Sequence, residues 1–222
     1  LSLQLEAPIW QALKAAGSAH KLTPNSLVLA LFAASLSCWS ENESFLINLT
    51  TFQRLPLHPE VNQLVGDFTS LNLLEIPPRQ GLLADWASQI QKQLWLDLEH
   101  SLYSGVEVLR DLRPHGHSGT APVVFTGLLG QSLPDLPLGA ELVFAQTQTP
   151  QVWLDCQASE SAQGLHVNWD YLAELFPPDL PQALFETFEQ LLRRLADSPP
   201  EWQTPLSQKA ILGLLNSPDQ AP

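Results

Sequence analysis

The segment Thr23–Ser40 constrains the fold most. Thr23-Pro24 puts a hydroxyl at a helix N-cap and a proline at the first helical position. The helix then runs through Leu27, Leu31, Ala34 and Cys38, with apolar residues nearly all round it. A helix without a polar stripe has no face to give to water and must be buried. The rest of the chain supplies what can bury it. A shorter helix is predicted over Pro8–His20. Phe45, Ile47 and Leu49 alternate with Leu46, Asn48 and Thr50 as in a strand, and Val65–Ile76 reads as another, ended by Pro77-Pro78. Leu82, Trp86, Ile90, Leu94, Leu98 and Leu102 recur every four residues and predict an amphipathic helix. After a loop over Pro114–Gly119, strands are predicted at Val123–Leu128, Glu141–Thr147, Gln151–Gln157 and Leu165–Trp169. A last amphipathic helix carries Leu184, Phe185, Phe188, Leu191, Leu192 and Leu195; Pro199-Pro200 then opens a linker holding one short helix capped by Thr204 before Pro205. Helices and strands mix without strict alternation, which predicts an α/β fold, a mixed sheet packed with helices.

At 222 residues and 45% hydrophobic content, the chain can bury one sizeable core or two small ones. Charged residues make up only 15%, so part of the surface is expected to be hidden against a partner. A net charge of −13 with ten Lys and Arg argues against nucleic acid and anionic membranes as partners. The longest apolar stretch, Leu27–Leu36, is too short to span a bilayer. Cys38 and Cys156 lie far apart with no metal or redox spacing, as expected of free thiols in a reducing cytoplasm. The chain has no methionine and opens Leu1-Ser2-Leu3, which leads to the expectation that it is a piece of a longer polypeptide.

Familiar catalytic motifs are missing. There is no Gly-x-Ser-x-Gly elbow and no phosphate-cradling glycine loop. His115 and His117 flank Gly116 without a third ligand, so no metal site is predicted. His58, before Pro59, reads as a turn histidine, Arg193-Arg194 as a solvated face and Cys38 as an inert core thiol. The strand Gln151–Gln157 is more informative. Period two puts Val152, Leu154 and Cys156 on one apolar face and Gln151, Trp153, Asp155 and Gln157 on the other. Either that second face is a wet edge, or it lines a cavity in which Trp153 is a wall and Asp155 transfers protons. The pattern by itself favours the wet edge. Asp170, after Trp169 near a strand end, reads as structural.

Several blocks together resemble one family. Leu49–Ile76 reads LTTFQRLPLHPEVNQLVGDFTSLNLLEI, similar to the stretch of nonribosomal peptide synthetase heterocyclization domains built around R-x-P-x-H-P and V-G-D-F-T-S. Plain condensation domains carry G-x-F-V-N-T there, so Gly66-Asp67-Phe68-Thr69-Ser70 points to the cyclizing subfamily. Tyr103–Leu112 (YSGVEVLRDL), Pro122–Gly127 (PVVFTG), Gln148–Gln157 (QTPQVWLDCQ), Asn168-Trp169-Asp170 and Leu191–Ala196 resemble further blocks of the subfamily, in family order. Gln53 stands where Asn is common, and Gly127 where Ser is common.

The resemblance implies a chloramphenicol-acetyltransferase-like half-domain: residues 1–198 as the C-terminal lobe, residues 199–222 as a linker toward an adenylation domain. The implied partners are an N-terminal lobe bearing a D-x-x-x-x-D-x-x-S motif, which this sequence lacks, and upstream and downstream peptidyl carrier proteins. No cofactor would be bound directly; phosphopantetheine would arrive on the carriers. The implied reaction joins an acyl or peptidyl thioester to carrier-bound Cys, Ser or Thr and cyclodehydrates the product to a thiazoline or oxazoline. Asp155 and Thr126 match the proposed cyclodehydration pair, and Trp153, Gln151 and Gln157 are the substrate-binding candidates beside them; with this added, the cavity reading of Asp155 overtakes the wet edge. The isolated chain is expected to be inactive. The alternatives are an amide-forming condensation domain without cyclization, or a non-catalytic lobe that docks carrier proteins.

Overall fold

The computed structural model describes residues 1–116, 120–130, 146–147 and 149–205. Along the chain these form β1 (Ser2–Glu6), α1 (Ala7–Ala19), α2 (Pro24–Trp39), β2 (Phe45–Phe52), β3 (Thr69–Ile76), α3 (Leu83–Glu99), α4 (Gly105–Leu112), β4 (Val123–Leu128), β5 (Leu154–Ser161), β6 (Gly164–Tyr171) and α5 (Leu180–Asp197). The strands make one sheet in the order β1-β6-β5-β4-β2-β3. The β2–β4 and β4–β5 pairs are parallel and the remainder antiparallel, so the sheet is mixed as predicted.

α2 occupies the place its composition demands. Thr23 accepts the Ser26 amide proton as N-cap, and the helix packs against α1, α3, α5 and β4. Residues Leu27 to Ala34 are all buried. Each strand gives one face to this layer: Leu3 and Leu5 from β1, Leu165, Val167 and Trp169 from β6, Leu154, Cys156 and Ala158 from β5, Phe125 from β4, Ile47 from β2 and Leu74 from β3. Trp169 is the hub. Its ring meets Phe32 of α2 edge-on at 5.2 Å and Phe185 of α5 edge-on at 5.1 Å, and Phe188 at 5.6 Å. Such aromatic pairs gain about 0.5–1.5 kcal/mol beyond their area burial. With Trp169 locked inward, strand alternation sends Asp170 to the opposite face.

Some boundaries differ from the sequence reading. β3 begins at Thr69, not Val65, because the Asp67 side chain accepts the Thr69 amide proton at 2.8 Å and turns the chain before the strand. β5 begins at Leu154, not Gln151: Gln151 has φ +69°, a left-handed conformation that no strand residue adopts. Two elements went unread. β1 shows its alternation in Ser2-Leu3-Gln4-Leu5-Glu6, and α4 announces itself by the capping box Ser104-x-x-Glu107, whose reciprocal bonds are both made. Arg194 is not simply solvated; its guanidinium lies 3.6 Å from Glu201. His58 does serve a turn, accepting the Glu60 amide proton. The strand expected over Glu141–Thr147 lies outside the described residues except at its end, as does His117, and so does the tail helix beyond Pro205.

The segment where the linker was expected begins by packing onto the core. A 3-10 turn over Pro199–Gln203 buries Trp202 completely, and Leu82 bridges to Pro205. Among the described residues no single helix is long and apolar enough to cross a membrane.

Candidate active site

The sheet face opposite α2 and α5 carries the chemistry. On β5 this face presents Asp155 and Gln157; the register sets Asp155 beside Val124 of β4 and directly opposite Asp170 of β6. Asp155 is only 8% exposed. Its Oδ2 accepts from the Thr147 hydroxyl at 2.8 Å and from Gln157 Nε2 at 3.0 Å, whereas Oδ1 is buried with no partner among the described residues. Asp170 Oδ2 accepts the Thr147 amide proton at 2.7 Å and lies 3.0 Å from the Thr147 hydroxyl. Gln157 Nε2 also reaches the Thr147 hydroxyl at 3.0 Å. Burial pushes the Asp155 carboxyl above the ordinary aspartate range; the bonds from Thr147 and Gln157 pull it back, and the Asp170 charge pushes it up again. The group opens on a hollow of about 80 Å³ that Gln146, Thr147, Thr149, Val152, Tyr171 and Leu172 line with the two aspartates. A protonatable carboxyl with one tethered and one free oxygen, at the rim of a hollow, is suited to passing a proton to a bound group.

Of the predicted residues, Asp155 and Gln157 come together here. Thr126 lies on the same face of the adjacent strand, level with Gln157, but its hydroxyl donates to Thr50 of β2 at 3.0 Å rather than to Asp155. Trp153 precedes the strand and is 46% exposed, held by its amide bond to the Pro122 carbonyl. Gln151 is exposed in its turn, and neither it nor Trp153 lines the hollow. Asp170, read as structural, faces Asp155 and shares Thr147 with it. Thr147 was not singled out. The signal for Asp170 was present, since two residues between Ser161 and Gly164 make a tight hairpin whose register pairs the aspartates.

Neither thiol contributes. Burial pushes Cys38 up to about 11 and Cys156, under the sheet, well above the ordinary thiol range. A larger hollow of about 430 Å³, between Trp39, Phe45, Leu46, Pro122, Leu180 and Leu184, contains no titratable side chain.

Known proteins share this arrangement of strands and helices. Pyochelin synthetase PchF of Pseudomonas aeruginosa is 40% identical over 205 residues, 90% of this chain and 11% of PchF. Phenyloxazoline synthase MbtB of Mycobacterium sp. (strain MCS) is 40% identical over 206 residues, 89% of this chain and 18% of MbtB. The chain thus spans less than a fifth of the length of either. The crystal structure of the EpoB cyclization-docking bidomain from Sorangium cellulosum superposes with a TM-score of 0.79 at 37% identity, over 90% of this chain and 42% of that one. The mixed sheet with packed helices is therefore the half-domain fold expected from the sequence blocks, and the similarity runs to cyclizing members. The condensation-domain family matches residues 1–208, and the chain belongs to that family.

Proposed function

We propose that this chain is the C-terminal lobe of a heterocyclization domain, which joins a carrier-bound acyl or peptidyl group to carrier-bound Cys, Ser or Thr and then closes a thiazoline or oxazoline ring. Residues 1–198 form the lobe, and those from 199 lead toward an adenylation domain, beginning against the core at Trp202. The N-terminal lobe and the tunnel between the lobes complete the site, and carriers bring the phosphopantetheine thioesters from either end. The domain works in the cytoplasm, and the chain by itself is inactive because it holds only one wall of the tunnel.

The observation that carries this reading is the Asp155 carboxyl: buried, held on one oxygen, unpartnered on the other, and pushed toward its protonated form. The names of the relatives agree with it, one a phenyloxazoline synthase and one a cyclization bidomain. An amide carbonyl is a weak electrophile and hydroxide a poor leaving group. Ring closure takes a proton from the thiol or hydroxyl and places one on the carbonyl oxygen as the sulfur or oxygen adds to the carbonyl carbon. Dehydration then needs a proton on the departing oxygen, while the ring nitrogen gives up its own as the C=N bond forms. One carboxyl serves both steps, and the net loss is one water. Thr126, on the adjacent strand, orients the oxygen that departs. Amide formation is largely positioning of two thioesters and asks less of Asp155.

Asp155→Ala in the complete domain tests this. Linear amide should persist while ring product falls by about 10²–10⁴-fold, the range typical of general acid–base groups. Product mass reads the difference directly, because cyclodehydration removes one water. Wild-type cyclization, or joint loss of amide and ring, would remove Asp155 from this role.

A further inference from the structure

Thr147 sets its one hydroxyl proton between two carboxyls that face each other across the strands. A threonine hydroxyl has one proton to donate. Thr147 Oγ1 nevertheless lies 2.8 Å from Asp155 Oδ2 and 3.0 Å from Asp170 Oδ2, both hydrogen-bond distances. Its single proton fills one of these contacts. With both aspartates ionised that proton would be split between two like charges held close together, which is unfavourable. The Gln157 amide cannot fill it, since Nε2 sits beside both oxygens and the hydroxyl as a donor of its own, at 3.0 Å from Asp155, 3.0 Å from Thr147 and 3.4 Å from Asp170. The Thr147 amide proton already goes to Asp170. One further proton, on a carboxyl, gives every short contact a hydrogen.

The surroundings require the same thing. Asp155 and Asp170 are direct cross-strand partners, where like charges are destabilising. Among the described residues lining the hollow there is no Lys, Arg or His to neutralise the pair; the other titratable group is the Tyr171 phenol, and the Cys156 thiol lies on the far side of the sheet. Two carboxyls in one site with no cation keep a proton between them. The amide bond from Thr147 stabilises charge on Asp170, and burial disfavours charge on Asp155. The proton therefore resides on Asp155.

We propose that Asp170 is a positioning residue which, through Thr147, shares one proton with Asp155 and keeps it on the Asp155 carboxyl, ready to be given to the departing oxygen. This rests on the reading of Asp155 as proton carrier. In the dehydration step Asp155 gives its proton to the departing hydroxyl, which leaves as water. The resulting Asp155 carboxylate takes the proton released by the ring nitrogen. The Asp170 carboxyl opposite favours return of the proton to Asp155.

The test is a pH titration of ¹³C-labelled aspartate carboxyls in the 222-residue chain, with Asp155 and Asp170 assigned by substitution. In the wild type the Asp155 signal should titrate above the ordinary aspartate range. An Asp155 signal within that range would overturn the proposal without any variant. In Asp170→Asn the Asp155 midpoint should move to lower pH; an unmoved midpoint overturns it. In the complete domain, Asp170→Asn should shift the high-pH limb of ring formation to lower pH relative to that of amide formation. Parallel loss of amide and ring at every pH would show a merely structural role and overturn it. If Asp155→Ala still cyclizes, the proton-carrier reading fails, and the carboxyl titrations still decide by themselves whether the proton is shared.

Discussion

Thr126 of β4 donates its hydroxyl proton to Thr50 of β2 across 3.0 Å, so a side-chain bond ties two parallel strands on the face that carries Asp155. The bond commits the one proton of the Thr126 hydroxyl and leaves its lone pairs to accept. On the proposed function, Thr126 would accept a hydrogen bond from a bound substrate rather than donate one.

An accepting, orienting group matters less than the proton carrier. Thr126→Val in the complete domain should lower the ring-to-linear product ratio, but by less than Asp155→Ala does. Thr126→Ser, which keeps the oxygen, should recover most of the ring. Mass analysis of the two products checks both. A Thr126→Val domain with an unchanged ratio would leave the hydroxyl only the bond to Thr50.

The raised Asp155 carboxyl has a stability consequence of definite sign. A carboxyl whose folded-state titration lies above its unfolded value contributes stability that is fully present below the unfolded value and is lost as pH rises through the folded one. Asp155→Asn removes that loss while keeping shape. The substitution should leave stability nearly unchanged at acid pH and raise it at higher pH, where ionised Asp155 would stand buried opposite Asp170. Relieving a functional cost commonly yields about 0.5–2 kcal/mol, and for a chain of this size about 1 kcal/mol moves Tm by roughly 2–4 °C. Thermal melts of both proteins across pH measure this. A gain confined to acid pH would reverse the assigned sign.

The fold was largely legible because its main elements advertise themselves locally. The N-cap at Thr23, the all-round apolar α2 and the four-residue recurrence of α3 are read without tertiary knowledge. What escaped depends on partners distant in sequence. β1 is short, and its alternation gains meaning only beside β6. The onset of β5 depends on the left-handed turn at Gln151, which no residue-type rule assigns to glutamine. The site divides in the same way. Strand periodicity put Asp155 and Gln157 on one face but by itself favoured a wet edge there, and only the family resemblance turned that face inward; the position of Asp170 would have followed from the hairpin register. Thr147 was not, because nothing local says that its hydroxyl comes to rest between two carboxyls.

Trp202 gives the segment after α5 a measurable part in the core. Its side chain is fully buried, its indole donates to the Leu195 carbonyl at 3.4 Å, and its ring lies 5.2 Å from His20. Trp202→Ala should cost about 3–5 kcal/mol, as large-to-small core changes of this kind do. Denaturant unfolding followed by far-ultraviolet circular dichroism, which does not depend on the lost indole, measures it. A cost below about 1 kcal/mol would mean that residues 199–205 rest on the lobe without supporting it.

Gly127 stands where the family commonly has serine, and the structure supplies a reason. The Asn25 side chain at the start of α2 grips β4 just past its end: its amide donates to the Leu129 carbonyl at 3.1 Å, and its Oδ1 accepts the Leu129 amide proton at 3.2 Å. A Cβ on Gly127 would collide with that Oδ1 and come within 2.8 Å of the Phe125 ring. The glycine is thus the counterpart of Asn25, and reverting it alone should hurt. Gly127→Ser should destabilise the chain by about 1–3 kcal/mol, the usual cost of overpacking, because Asn25 must release Leu129. In an Asn25→Ala background the clash with Oδ1 is gone, so the same change should cost much less. The difference appears as a coupling energy in a double-mutant cycle, where contacting residues typically give about 0.5–3 kcal/mol. Additive costs would show that Gly127 and Asn25 are independent, and that the glycine answers to Phe125 instead.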